Sequence, residues 1–358
     1  MTSLAPGITA DIEIPNPPED SISSLAFSPN GRGPSAGNDF LAVGSWDASV
    51  RIYEVAPNGQ AIGRALYKHD APVLNVAWGP DLSRVFSGGA DNAARMFDTA
   101  TGQATQVGAH DAPVRSVRWA QVNGSGLLIT SGWDKIVKYW DVRAPSGTPV
   151  GSVQLPERCY SMDVCTTGSR HFLVAATAER HVSMYDLVNP ATPWKNLSSP
   201  LKWQTRVVRC FEPLPEAKSG TGFAIGSIEG RLGVHFAEDR ETVNNYTFRC
   251  HRQEPTKNET KIFAVNDIVF HPVHGTFVTC GSDGTISVWD KDARTRQKTF
   301  DTAPGPISAL SCSGSGRFLA YAVSYDWSRG HGGMTPGHPN KVLLHTCKDE
   351  EFKRRVRR

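Results

Sequence analysis

The chain has 358 residues, 39% hydrophobic and 9% aromatic, and 38 Lys plus Arg face 35 Asp plus Glu for a formal net charge of +3. No apolar run is long enough to span a bilayer as a helix, and no basic-then-apolar signal segment opens Met1–Asn16, so neither a membrane span nor a secretory leader is expected. Seven scattered cysteines, an odd number, point to reduced cytosolic or nuclear surroundings and not to a disulfide framework.

The first predicted element alternates Ile8, Ala10, Ile12 and Ile14 with polar residues, a short strand stopped by Pro15, Pro17 and Pro18. Beyond it the same unit recurs, a tight turn followed by an apolar run. The clearest copies are Gly44-Ser45-Trp46-Asp47 before Val50-Arg51-Ile52-Tyr53, Gly88-Gly89-Ala90-Asp91 before Met96-Phe97-Asp98, and Ser131-Gly132-Trp133-Asp134 before Val137-Lys138-Tyr139-Trp140-Asp141. Weaker copies end at Tyr185 and Phe236, a strong one runs Gly281-Ser282-Asp283-Gly284 to Trp289-Asp290, and Val342-Leu343-Leu344 closes the last.

Taking Tyr53, Phe97, Trp140, Tyr185, Phe236, Trp289 and Leu344 as equivalent points gives intervals of 44, 43, 45, 51, 53 and 55 residues, the period of WD repeats with longer loops in the second half. Each unit predicts one four-stranded blade, and a blade alone cannot bury its faces. The expected fold is therefore all-β, a seven-bladed β-propeller of WD40 repeats over 1–358, with an N-terminal arm or closing strand at 1–19 and a basic tail at 350–358. The N-terminal strand is expected to complete the last blade and remove its open edge. Within unit 3, His110, Ser131, Asp134 and Trp140 predict a stabilising hydrogen-bond network. His69, Ser87 and Asp91 repeat three of those positions, with Phe97 in place of the tryptophan and the fourth bond lost.

No phosphate-binding glycine motif with its lysine and no His-Glu-x-x-His pattern occurs, so no enzyme, cofactor or metal is predicted. Cys250 beside His251 is the one suggestive metal-ligand pair and reads better as a buried thiol next to a surface imidazole. Recognition remains. Arg206 and Arg209 lie close to Trp203, and Arg231 follows in a turn where the repeat favours aspartate, which reads either as a positive top surface for a carboxylate-rich peptide or as an ordinary solvated face with Glu229 neutralising Arg231. Lys291, Arg294, Arg296 and Lys298 form a second basic region, with Phe248 and Trp289 as candidate stacking surfaces for unpaired bases. Trp289 reads either as such a platform or as a repeat-closing core residue. The terminal Lys353-Arg354-Arg355-Val356-Arg357-Arg358 reads as an import signal, a phosphate contact or a frayed tail.

Five strings go beyond generic repeats: Gly44-Ser45-Trp46-Asp47, Gly226-Ser227-Ile228-Glu229-Gly230-Arg231, Phe270-His271-Pro272-Val273-His274-Gly275-Thr276, Trp289-Asp290-Lys291-Asp292-Ala293-Arg294-Thr295, and Ser324-Tyr325-Asp326-Trp327-Ser328-Arg329-Gly330-His331. On these the chain resembles the WD-repeat mRNA export factors that dock on a nuclear pore protein. The related spindle-checkpoint propeller, which binds similar motifs in checkpoint kinases, looks similar through Gln204-Thr205-Arg206, Ser227–Arg231 and Ser324-Tyr325, whereas Phe270–Thr276 and Asp326–His331 look like the export factor.

The resemblance implies a non-enzymatic adaptor, monomeric in itself and heterodimeric with the GLEBS hairpin of a nucleoporin held across its top face. It implies peptide contacts at Arg231, Arg206, Arg209, Trp46 and Trp327. It further implies single-stranded RNA or ribonucleoprotein at an adjoining edge built from Phe248, Trp289, Lys291, Arg294 and Arg296. The implied location is the nucleus, at the nuclear pore complex, with shuttling to the cytoplasm, and the alternative is a checkpoint scaffold.

Overall fold

The computed structural model describes residues 11–29, 37–143, 147–166, 170–212 and 220–355. Seven four-stranded antiparallel sheets follow one another, blade 1 at 22–68, blade 2 at 73–109, blade 3 at 114–154, blade 4 at 159–198, blade 5 at 205–249, blade 6 at 265–299 and blade 7 from 307. This is the seven-bladed propeller expected from the repeat period. All seven repeat markers, Tyr53 through Leu344, fall on the third strand of their blade.

Blade 7 takes its outer strand from the other end of the chain. Ile12–Glu13 pairs antiparallel with Lys341–Thr346, in register Ile12 with Leu344, while Ile8 and Ala10 lie outside the described residues. The ring closes on a cluster of Ile14, Ile22, Leu41, Val43, Ala320 and Leu344, each 2% exposed or less. Six further clusters fill the other spaces between neighbouring blades. Alternation along each strand puts apolar side chains on both sheet faces, because each blade has a neighbour on either side.

In blades 1, 2, 3 and 6 the turns between second and third strands share one construction. Asp47, Asp91, Asp134 and Asp283 each accept the backbone N–H two residues on through Oδ1, and the residue after each is left-handed: Ala48, Asn92, Lys135 and Gly284. In blade 5 Glu229 holds the aspartate's place, and its longer side chain lies near Arg231 Nε at 3.7 Å.

The networks differ in detail from expectation. In blade 3 the shared hydroxyl is Thr130, not Ser131: it lies 2.7 Å from His110 Nε2 and accepts from Trp140 Nε1 at 2.8 Å, while His110 Nδ1 is 2.8 Å from Asp134. Ser131 faces the other way and donates to Cys159 Sγ at 3.2 Å. In blade 2 the fourth bond is replaced rather than lost, since Tyr67 Oη donates to Ser87 Oγ at 2.9 Å. Blade 6 carries a complete set that the repeat spacing does not suggest: His251 Nδ1 is 2.9 Å from Asp283, His251 Nε2 is 2.9 Å from Thr279 Oγ1, and Trp289 Nε1 donates to the same hydroxyl at 3.0 Å. His251 is thus a buried structural imidazole and not a surface one.

Candidate recognition surfaces

Every innermost strand carries a bulge one residue after its start. A bulge gives two residues opposite one and re-aims a side chain. The seven bulged residues run from Ser23 in blade 1 to Ser308 in blade 7, with Arg115, Tyr160, Arg206 and Asn266 in blades 3 to 6. All of them line one cavity of about 290 Å³ at the turn-bearing mouth of the central channel. Trp46, in the first turn, and Trp327 stack over this mouth with centroids 4.3 Å apart and planes 27° from parallel. Trp327 takes a left-handed φ of 60°, a conformation unusual for a bulky residue, and Tyr325 packs against it at 5.5 Å.

Arg206 and Arg209 do not form an outer top surface, as their sequence context suggested. Both sit on the innermost strand Thr205–Phe211 and point into the channel. Arg206 is the bulged residue and donates to Asp326 O at 2.8 Å. Arg209 lies deeper and pairs with Asp267 at 2.9 Å. On the neighbouring blades 3 and 4, Arg118 pairs with Asp163 at 2.6 Å. These aspartates also join blades: Asp163 accepts Cys210 N–H at 2.7 Å and Asp267 accepts Leu310 N–H at 3.0 Å. The burial cost of Arg209 and Arg118 is thereby offset by paired charge.

Arg115, absent from the sequence-based candidates, differs from these two paired arginines. It donates to Leu74 O at 3.3 Å and has no carboxylate in ion-pair contact among the described residues. Burial, then the nearby charges of Arg206 and Arg209, pulls its pKa down to about 10.

Arg231 stands apart from the channel. It opens the third strand of blade 5 at the turn-bearing face, and its cross-strand partner is Arg249. Arg252 joins them, donating to Glu229 O at 2.8 Å, and its pKa is lowered first by burial and then by Arg231 and Arg249. Directly opposed like charges weaken a sheet. Three clustered guanidinium groups make this corner positive, with Glu229 the nearest opposing charge.

The second basic region lies on the outside of the cleft between blades 5 and 6, and only part of the expected set is available there. Trp289 is core. It is 9% exposed, bonded to Thr279 and packed between the blades with Phe248 at 4.7 Å. Lys291, 3% exposed, bonds Asp292 at 2.7 Å and sets its ammonium 5.0 Å from the Phe211 ring centre, so it offers no charge to a partner. Arg294 and Arg296 are exposed; Arg294 lies over Tyr246 at 4.7 Å and Arg296 over Trp289 at 5.9 Å. Phe248 is half-buried. Arg294 sits in the loop between third and outer strands, at the opposite end of the cleft from Arg231. The arginines therefore run down the outer cleft from Arg231 and Arg249 to Arg296 and Arg294.

The tail is docked through Arg355. A one-turn helix, Asp349–Phe352, buries Phe352 completely, Arg354 pairs with Asp292 at 2.7 Å, and Arg355 donates to Gln297 O at 2.8 Å. Val356, Arg357 and Arg358 lie outside the described residues.

The WD domain, G-beta repeat family matches residues 14–54, 61–98, 102–141 and 245–290. The last three of these stretches hold the third strands of blades 2, 3 and 6, the blades with a His/Asp network. Over 99% of its length the chain is 47% identical to the mRNA export factor GLE2 of Chaetomium thermophilum, covering 95% of that protein. It is 45% identical over 97% of its length to the Poly(A)+ RNA export protein of Schizosaccharomyces pombe, covering 94% of it. It is 42% identical over 95% of its length to the Protein Rae1 of Drosophila melanogaster, covering 95% of it. The chain belongs to this family of WD-repeat mRNA export factors.

Proposed function

We propose that this member of the mRNA export factor family is a non-enzymatic adaptor in the export of messenger RNA, working at the nuclear pore complex. Full-length similarity to proteins named for mRNA and poly(A)+ RNA export is the observation that carries the reading. The ring holds the acidic GLEBS hairpin of a nucleoporin on its turn-bearing face. Arg231 grips a carboxylate beside Arg249 and Arg252, and the Trp46–Trp327 stack with Arg206 receives the part of the peptide that crosses the channel mouth. Arg209, already paired with Asp267, supports this surface from below.

Single-stranded RNA or ribonucleoprotein binds along the outer cleft of blades 5 and 6 through Arg294, Arg296 and the exposed edge of Phe248. Contacts of this kind read phosphate charge and stacking and are salt-dependent and weakly selective for sequence. Holding both partners on one rigid body raises the local concentration of RNA at the pore.

The test is calorimetric titration of the purified chain with a nucleoporin GLEBS peptide and, in parallel, a checkpoint-kinase GLEBS peptide. Preference for the nucleoporin peptide is expected. Preference for the kinase peptide, with no affinity for single-stranded RNA, would move the protein to the checkpoint class.

A further inference from the structure

We propose that the channel mouth is a socket for one acidic side chain of the segment lying across the turn-bearing face, gripped by Arg115 together with Arg206. The inference rests on the adaptor reading and adds to it a residue and a place that the corner around Arg231 does not supply.

Charge and geometry point the same way. The described residues lining the channel include four arginines, Arg115, Arg118, Arg206 and Arg209, and three aspartates, Asp163, Asp267 and Asp326, which leaves one positive charge over. Arg118 and Arg209 are spent on Asp163 and Asp267. Asp326 is held by Asn266 and Ser282 and gives Arg206 a backbone carbonyl, not its carboxylate. Arg115 is the remainder. A partly buried guanidinium without a carboxylate in contact is costly, and a chain keeps one most readily where a partner supplies the carboxylate.

Arg115 and Arg206 occupy the same bulged position in blades 3 and 5, so both are aimed at the mouth, on either side of Tyr160. Two more donors lining the cavity have no partner among the described residues: Thr205 Oγ1, on a residue 1% exposed, and Trp327 Nε1. Donors surrounding an aromatic-walled cavity that lacks a single negative charge fit one Glu or Asp side chain. A phosphate dianion would overshoot the charge.

Calorimetry of the full chain with a nucleoporin GLEBS peptide tests this, using wild type, Arg115→Gln, Arg115→Lys and Arg231→Ala against peptides in which each acid is changed singly to its amide. The expected result is a loss of about 30-fold or more for Arg115→Gln, as for truncating one partner of a buried charge pair, with partial recovery in Arg115→Lys. One amide peptide should bind wild type and Arg115→Gln equally. In the absence of peptide Arg115→Gln should melt no lower than wild type. Unchanged affinity in both Arg115 variants, with Arg231→Ala still weakened, overturns the socket and leaves the adaptor reading standing. A weakened Arg115→Gln that couples to no peptide acid overturns it as well. If wild type fails to bind the peptide, the adaptor reading and the socket fall together. Should Arg115→Gln not fold, Arg115→Lys and the amide peptides decide the question by the same comparison.

Discussion

Trp140 Nε1 donates to Thr130 Oγ1 at 2.8 Å, and the same hydroxyl meets His110 Nε2 at 2.7 Å. Because the Asp134 carboxylate can only accept, His110 Nδ1–H donates to it, and the Nε2 of the neutral imidazole then accepts the Thr130 hydroxyl proton. The chain of bonds ties the loop before blade 3 to its second and third strands. Thr130→Val strands two buried groups and should cost about 2–4 kcal/mol in urea denaturation, while Ser131→Ala, losing a weak contact to Cys159, should cost less than about 1 kcal/mol. Equal losses would contradict the assignment of Thr130 as the shared hydroxyl.

The same logic separates stability from binding at the outer cleft. Trp289→Phe keeps an aromatic ring between blades 5 and 6 but removes the bond to Thr279, and is expected to lower stability by about 1–2 kcal/mol with oligouridine affinity unchanged. The double variant Arg294→Glu/Arg296→Glu should do the reverse. Its stability should stay within about 0.5 kcal/mol of wild type, while RNA binding weakens and its log–log salt slope becomes shallower by about 0.7 per lost contact. Fluorescence anisotropy across a salt series reads both arms.

Blade number and strand order are legible in the sequence because the repeat period fixes them, and the closing role of the N-terminal strand follows from its alternation. The network hydroxyl is legible too, by a spacing finer than the motif. Ser87 and Thr279 stand four residues before their aspartates, and so does Thr130, whereas Ser131 stands three before Asp134. His251 is harder to place because the hairpin Arg252–Thr256 and Glu259–Ile262 separates it from blade 6. What the sequence does not reveal is direction. Arg206 points inward because a bulge turns it, Trp289 and Lys291 are covered by neighbouring aromatic rings, and the surplus charge on Arg115 emerges only when seven distant strands line one channel.

Arg231 faces Arg249 directly across two strands. Removing either charge relieves repulsion, so Arg231→Ala should leave the melting temperature unchanged or slightly raised, by the equivalent of at most about 1 kcal/mol. Docking of a GLEBS peptide should nonetheless weaken by about 2 kcal/mol, the low end for a hydrogen-bonded charge pair losing one partner, since the side chain is half-buried. Calorimetry paired with thermal melts measures both. A fall in stability with affinity retained would make Arg231 a structural residue.

Blade 7 is closed by a charged clasp whose pH dependence can be worked out. His345 lies between Asp11 at 2.8 Å and Glu351 at 2.9 Å, joining the N-terminal strand, the last strand and the C-terminal helix, while Lys298 of blade 6 holds Glu351 at 2.6 Å. Burial alone would lower the pKa of His345, but the hydrogen bonds and charges of Asp11 and Glu351 raise it to about 9. Burial alone would raise that of Glu351, but His345 and Lys298 bring it down to about 2. A raised histidine stabilises fully below its unfolded value of 6.5 and loses that contribution as pH climbs toward 9. A depressed glutamate stabilises above its unfolded value of 4.5 and loses it as pH falls toward 2. The clasp is therefore strongest between pH 4.5 and 6.5. Urea denaturation should show stability falling by on the order of 2–3 kcal/mol from about pH 6 to pH 9.5. His345→Gln should be less stable than wild type at pH 6 and should flatten that alkaline slope, leaving the acid limb carried by Glu351 and Lys298. An alkaline slope as steep in His345→Gln as in wild type would show that the imidazolium does not hold blade 7 closed.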